Sequence, residues 1–256
     1  IPTLRYMLIL VSDRELNRMG FEYDAFNSTD PIRFRGGNGS PQLREILMYH
    51  IIPLENNPLP NLSGSGMLES YAGEYIRYDN NKLYSSGTMD STVKYANIDS
   101  VNVGTSQSGP LNGIAVYTNQ ALTSSKTNIA DFFKKIGAET ESSPFYSFFQ
   151  YLIKTDLYSA SDGKINGVEL GANYTMLVPD NAAIAQAVTN GDLPESTAPS
   201  SQIDKDKVKR FIQYHILRTS FAIDGKKIGV LESLCKDIEG NTQAVTIVQN
   251  STNLLT

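Results

Sequence analysis

Cysteine is almost absent from this chain. Cys235 is the single one among 256 residues, so no intrachain disulfide can form and no CxxC metal or redox pattern exists. Histidine is nearly as scarce: with only His50 and His215, 165 positions apart, a zinc centre would need several carboxylates to complete it. No window approaches the roughly 18–20 apolar residues of a membrane-spanning helix; the best apolar run, Tyr6 to Val11, has the length of a strand. No run of five basic residues occurs, and a net charge of −5 with a pI near 5.1 repels phosphate backbones, which speaks against nucleic-acid binding. The halves are alike in charge, −3 for residues 1–125 and −2 for the remainder, so neither is a charged docking face.

Motifs for common chemistries are missing as well. Gly36-Gly37-Asn38-Gly39-Ser40 precedes a helical pattern but lacks the Lys-[Ser/Thr] of a phosphate-binding loop. Gly64-Ser65-Gly66 has the wrong spacing for a nucleophile elbow. If Gly163 were the sixth residue of a calcium loop, Tyr158 would stand first, where an Asp is required. A nucleophile needs a base that a third group orients, and no such set stands out. The chain is read as a non-enzyme that carries no metal and no cofactor. Arg-Gly-Asp does not occur.

What is present is globular composition, 40% hydrophobic and 19% charged, in a chain long enough for one large or two ordinary domains. Self-comparison separates these alternatives. Three blocks recur in order. Ile9-Leu10-Val11-Ser12-Asp13 is echoed by Met176-Leu177-Val178-Pro179-Asp180. Leu43 to Ile51 is echoed by Val208 to Ile216, each containing Tyr-His-Ile. Gly66-Met67-Leu68-Glu69-Ser70 is echoed by Gly229-Val230-Leu231-Glu232-Ser233. The separations of 167, 165 and 163 residues drift little, as expected for two homologous domains with different loops.

Each block predicts an element. The first is a buried strand followed by a helix that Asp13 or Asp180 caps. In the second, Leu43, Ile46, Leu47 and His50, like Val208, Phe211, Ile212 and His215, fall on one stripe of an amphipathic helix, with Ser40-Pro41 as N-cap and first residue of the first copy. The third starts a strand. Between the copies, Ile129, Phe132, Phe133 and Ile136 form a stripe ending at Gly137. Phe145, Phe148, Phe149 and Leu152 form another, opened by Ser143-Pro144. A hairpin is expected around Asp162-Gly163 and Asn166-Gly167. Thr92 to Val103 is strand-rich, and Asn112-Gly113 reads as a turn before a strand over Ile114 to Tyr117.

Tyr174-Thr175-Met176-Leu177-Val178-Pro179-Asp180-Asn181-Ala182-Ala183-Ile184 resembles the first signature box of fasciclin (FAS1) domains, with Tyr6 to Leu16 as a looser copy. Tyr49-His50 and Tyr214-His215 match the Tyr-His motif of that family, and Ala96-Asn97-Ile98 with Asn112 to Tyr117 resembles its closing segment. The resemblance covers nearly the whole chain and implies an α+β fold of two FAS1-type domains, each a small β-sandwich or wedge with helices packed around it. Domain 1 is expected over 1–125, without its N-terminal helices, and domain 2 over 126–256, without its C-terminal strand.

The resemblance further implies an extracellular, cell-surface or periplasmic protein concerned with adhesion. Its partner would be a protein, a matrix component or a glycan at the cell surface, with no nucleic acid. Contact with a membrane would run only through an anchor outside this chain, as in a lipoprotein; Ile1 in place of Met marks a processed or missing start. An Asn-rich, Trp-free, disulfide-free sequence points to a bacterial cell-envelope member. The alternative function is a glycan-binding accessory protein of a bacterial envelope system.

Candidate site residues follow. Tyr49, His50, Tyr214 and His215, with Asp13 and Asp180, are the family-motif positions, structural first and recognition second. Their helical phase points inward, and each imidazole is expected to bond a group at the start of the helix after Asp13 or Asp180. Tyr71, Tyr75, Tyr78 and Tyr84 form a candidate ligand surface, since half-exposed tyrosines stack on sugars or protein partners.

Overall fold

The computed structural model describes residues 5–29, 31–35, 39–54, 59–89, 92, 94–103, 113–169, 173–251 and 254–255. Gly36, Gly37, Asn38 and Asn112 lie outside the described residues. The architecture is α+β, and the chain divides into two compact units, Ile1–Lys126 and Thr127–Thr256.

The first unit is built on β1 (Tyr6–Val11), α1 (Asp13–Arg18), a hairpin of β2 (Phe21–Tyr23) and β3 (Ile32–Phe34), α2 (Ser40–His50), β4 (Ile51–Pro53), β5 (Ser65–Glu69), β6 (Tyr75–Asp79), β7 (Lys82–Tyr84), β8 (Ala96–Val103) and β9 (Gly113–Thr118). Seven strands make one sheet in the order β4-β1-β9-β8-β7-β6-β5. The pairing of β1 with β9 is parallel, from Tyr6 opposite Gly113 to Val11 opposite Thr118; the other pairs are antiparallel. The β6–β7 turn rests on Asn80 and Asn81, both at positive φ, a conformation asparagine tolerates better than most side chains.

The apolar run of β1 is not buried on both faces. Met7 and Ile9 are in the core, while Leu8 and Leu10 are 38% and 37% exposed, the alternation of a sheet covered on one side. Met7, Ile9, Tyr49, Ile52, Leu68, Ile76, Leu83, Ile114, Val116 and Leu122 share one core cluster. On α2 the stripe is shifted from its expected phase. Tyr49 and His50 are buried and Leu47 is exposed, because the residues that meet the sheet are those where the helix runs into β4. Gly39, not Ser40, is the N-cap of α2; Ser40 and Pro41 already lie within the first turn.

The second unit contains α3 (Ile129–Lys135), α4 (Tyr146–Ile153), β10 (Thr175–Met176), α5 (Asn181–Thr189), α6 (Gln202–Tyr214), β11 (Ile216–Leu217), β12 (Gly229–Lys236), β13 (Thr242–Ile247), β14 (Asn250–Ser251) and β15 (Leu254–Leu255). Its main sheet runs β10-β11-β12-β13. Phe148, Phe149, Tyr151 and Leu152 of α4 pack with Phe133 of α3, Ile184 of α5, and Val208 and Ile212 of α6. Phe132 and Ile136 are 41% and 43% exposed, so α3 turns inward only a narrower part of its expected stripe. In place of a regular hairpin at 158–167 there is one bridge, Tyr158 with Ile165, and positive φ at Gly163 and Gly167.

Candidate functional site

The Tyr-His pair of the first unit ends α2, where the chain passes directly into β4. The His50 Nδ1 lies 2.7 Å from the Ile46 carbonyl oxygen, and its Nε2 accepts the Leu122 backbone N–H at 3.0 Å. A ring that donates from Nδ1 and accepts at Nε2 is neutral. Burial pushes the His50 pKa below its ordinary value, and the bond to Ile46 only partly opposes this. The Tyr49 phenol accepts from the Ser86 N–H and donates to the Glu74 carboxylate, both at 3.3 Å. Desolvation, with the Glu74 charge second, pushes its pKa up to about 12.

These bonds converge on the segment Ala121–Ser125, which leads out of the unit. Besides Leu122 on His50, the Ser125 N–H donates to Ser86 Oγ at 2.9 Å, and Ser86 Oγ donates to Glu74 at 2.7 Å. Thr123 N–H donates to Ser85 Oγ, Ser124 Oγ to Glu45, and Ala121 N–H to the Glu15 carboxylate. Arg18 grips that carboxylate with two 2.7 Å bonds and holds its pKa below the usual range. The pair is thus the centre of a clamp on an outgoing strand of chain. The expected partner at the start of α1 is replaced by Ile46 and Leu122, because the imidazole folds back one helical turn and its far nitrogen meets the segment after β9.

In the second unit His215 Nδ1 repeats the i−4 contact, 2.8 Å from the Phe211 carbonyl. Its ring lies 4.3 Å from that of Phe211 and 6.0 Å from that of Phe148, so here too the partner is on α6 itself and not at the start of α5. Burial again lowers its pKa, more strongly than the Phe211 bond raises it. Tyr214 differs from Tyr49: it is 41% exposed and donates to the Ala244 carbonyl of β13 at 3.0 Å.

Asp180 caps α5, its carboxylate accepting the Ala183 N–H at 2.8 Å. Asp13 does not cap α1. Ser12 does, accepting from Glu15 N–H, and Asp13 is an exposed residue of the first turn, where its charge suits the helix dipole.

The four tyrosines are not brought onto one face. Tyr75 and Tyr78 are three apart in β6, so they point to opposite sides of the sheet. Tyr78 packs on the core and lies over Gly66. Tyr75 and Tyr84 share the other side. There the Arg77 guanidinium sits 3.8 Å above the Tyr84 ring, Lys82 Nζ sits 4.3 Å above Tyr95, and the two rings are 5.8 Å apart. Tyr71 stands apart and is 55% exposed. It helps to line an apolar cleft of about 350 Å³ with Tyr6, Leu8, Met48, Ile51 and Ile114. The sequence reading missed this cleft. Its signal was the unbroken apolar run of β1, in which Leu8 and Leu10 face away from the core that Met7 and Ile9 enter.

Among the described residues no group of three His, Cys, Asp or Glu side chains is placed to hold a metal ion, and no helix is long and apolar enough to cross a membrane.

Comparison with known proteins places a fasciclin domain at residues 143–254. Fasciclin domains are adhesion-type domains that mediate protein interactions, are typically extracellular or secreted, and are not enzymes. No match was found among curated protein sequences. Among solved structures, the FAS1 domain pair from the insect cell adhesion molecule fasciclin I aligns at 11% identity, covering 98% of this chain and 86% of that one, with a TM-score of 0.32.

Proposed function

We propose that this protein is an extracytoplasmic adhesion or interaction module that binds a protein or matrix component, with a FAS1-like domain over 1–125 preceding the one over 126–256. The observation that carries this reading is the fasciclin domain at 143–254. The duplication supports the first domain. In both units a strand leads into a side-chain-capped helix, and a later helix ends in Tyr-His with the imidazole on the i−4 carbonyl. A strand with Gly-[Met/Val]-Leu-Glu then starts a hairpin. The role assigned to Tyr49-His50 and Tyr214-His215 is maintenance of the fold. A bacterial cell envelope, reached through a secretion signal or lipoprotein anchor, is the proposed setting.

The contact surface proposed for the first unit is the apolar cleft at Tyr71 and Leu8. An exposed aromatic beside adaptable Met48 suits the anchoring side chain of a protein partner. The test is attachment of the purified chain to surfaces coated with collagen, with fibronectin or with intact bacterial cells. Tyr71→Ala with Leu8→Thr is expected to weaken attachment about tenfold, or ~1.4 kcal/mol, while the far-ultraviolet circular dichroism stays unchanged. Undiminished attachment would remove the cleft from the contact surface. Turnover of an ester or glycoside, lost on His50→Ala in a folded protein, would replace the adhesion reading with a hydrolase.

A further inference from the structure

A second cleft, of about 320 Å³, lies in the second unit between the end of α4, the loop at 197–199 and the first two turns of α6. Three lysines stand on its walls, Lys154 just past α4 and Lys205 and Lys209 on α6. Lys205 and Lys209 are four residues apart and therefore share a helix face. Lys209 is held by Asp156 at 2.8 Å. Lys154 and Lys205 have no ion-pair partner among the described residues, although the chain as a whole is acidic. Against these three ammonium groups the cleft wall sets two carboxylates, Asp156 and Asp206, so it keeps an excess of positive charge that a bound anion would offset.

The other groups on the cleft narrow the class of anion. Thr155, Thr197 and Gln202 can both donate and accept hydrogen bonds, and Asp156 and Asp206 only accept. A ligand dense in phosphate would meet those carboxylates unfavourably. Sugar hydroxyls, which donate as well as accept, would be matched by them. Pro199 and Ala198 supply an apolar flank for the C–H face of a sugar ring. The volume lies at the small end of the range for ligand pockets, about 300–1,000 Å³. We infer that this cleft binds an acidic saccharide, its carboxylate or sulfate placed between Lys154 and Lys205 and its hydroxyls on the Thr, Gln and Asp groups. The site stands independently of the apolar cleft in the first unit, and all its residues fall within the fasciclin domain at 143–254.

The test is calorimetric or NMR titration of the whole 256-residue chain with digalacturonate, with galactose and with inorganic sulfate, at low and at physiological salt. Digalacturonate is expected to bind saturably, to shift the amides of Thr155, Thr197 and Gln202, and to weaken as salt screens the lysines. Lys154→Gln with Lys205→Gln is expected to cost at least about tenfold in affinity. Both side chains are exposed and, among the described residues, without ion-pair partners, so the fold should persist, which an unchanged amide spectrum elsewhere would verify. Absence of saturable digalacturonate binding, or equal binding by the double variant, overturns the proposal. Galactose binding as tightly as digalacturonate overturns recognition by charge. Sulfate binding as tightly overturns the saccharide class and leaves a simple anion site.

Discussion

His50 is the residue on which the first unit's clamp turns. Its neutral ring joins Ile46 to Leu122, and burial depresses its pKa. As pH falls below the ordinary imidazole value of about 6.5, the unfolded chain takes up a proton before the folded one does. Stability contributed by the neutral ring is therefore fully present above about pH 6.5 and is lost as pH falls through the lower, folded-state pKa. Urea unfolding of the first unit, measured from pH 7.5 downward, is expected to show that loss. His50→Gln should lower stability at pH 7.5 by about 1–3 kcal/mol and flatten the pH dependence; an equally steep dependence would clear His50 of the role. The sequence reveals the inward phase of both histidines through helical spacing. It does not reveal Leu122 as a partner, 72 residues away, because a bond between a side chain and a distant backbone N–H leaves no residue-type signature. The exchange of Asp13 for Ser12 as the α1 cap has a local cause: both are good caps, and only the point where the backbone turns helical decides between them.

At the scale of elements, the helices and the strand-starting glycine blocks were legible, since each carries its own periodicity or turn residues. The β2–β3 hairpin was not, because its strands are three residues long and too short for alternation to register. Gly113 illustrates a correct signal with a different cause. Asn112-Gly113 reads as a turn, yet Gly113 already belongs to β9, and a Cβ there would collide with the carbonyl oxygen of Tyr6 on β1. The residue is glycine because two backbones approach closely. Gly113→Ala is accordingly expected to push the strands apart and to destabilise the first unit by about 1–3 kcal/mol, read as faster hydrogen exchange at the amides of β1 and β9. The apolar cleft was hidden for a related reason: a continuous apolar run is what a strand covered on both faces would show, and β1 is covered on one.

Over the whole molecule the two cores are drawn from separate stretches of chain, Met7 to Leu122 in one cluster and Ala130 to Leu234 in the other. Phe149 is fully buried and stacks on Phe133 at 5.8 Å. Phe149→Ala should cost about 3–5 kcal/mol and raise hydrogen exchange across residues 127–256 while leaving 5–126 near its original protection. Loss of protection throughout would contradict the proposed two-domain organisation. The first unit's topology also bears on load. Its first strand and its last run side by side in the same direction along six paired positions, Tyr6–Val11 against Gly113–Thr118. Tension applied along the chain at Tyr6 and at Thr118 would enter at opposite ends of this pair. The hydrogen bonds between the strands are then loaded in shear, sharing the force together, and do not open one after another as in a zipper. A strand pair loaded at those two points resists pulling by geometry, beyond what its equilibrium stability alone would supply.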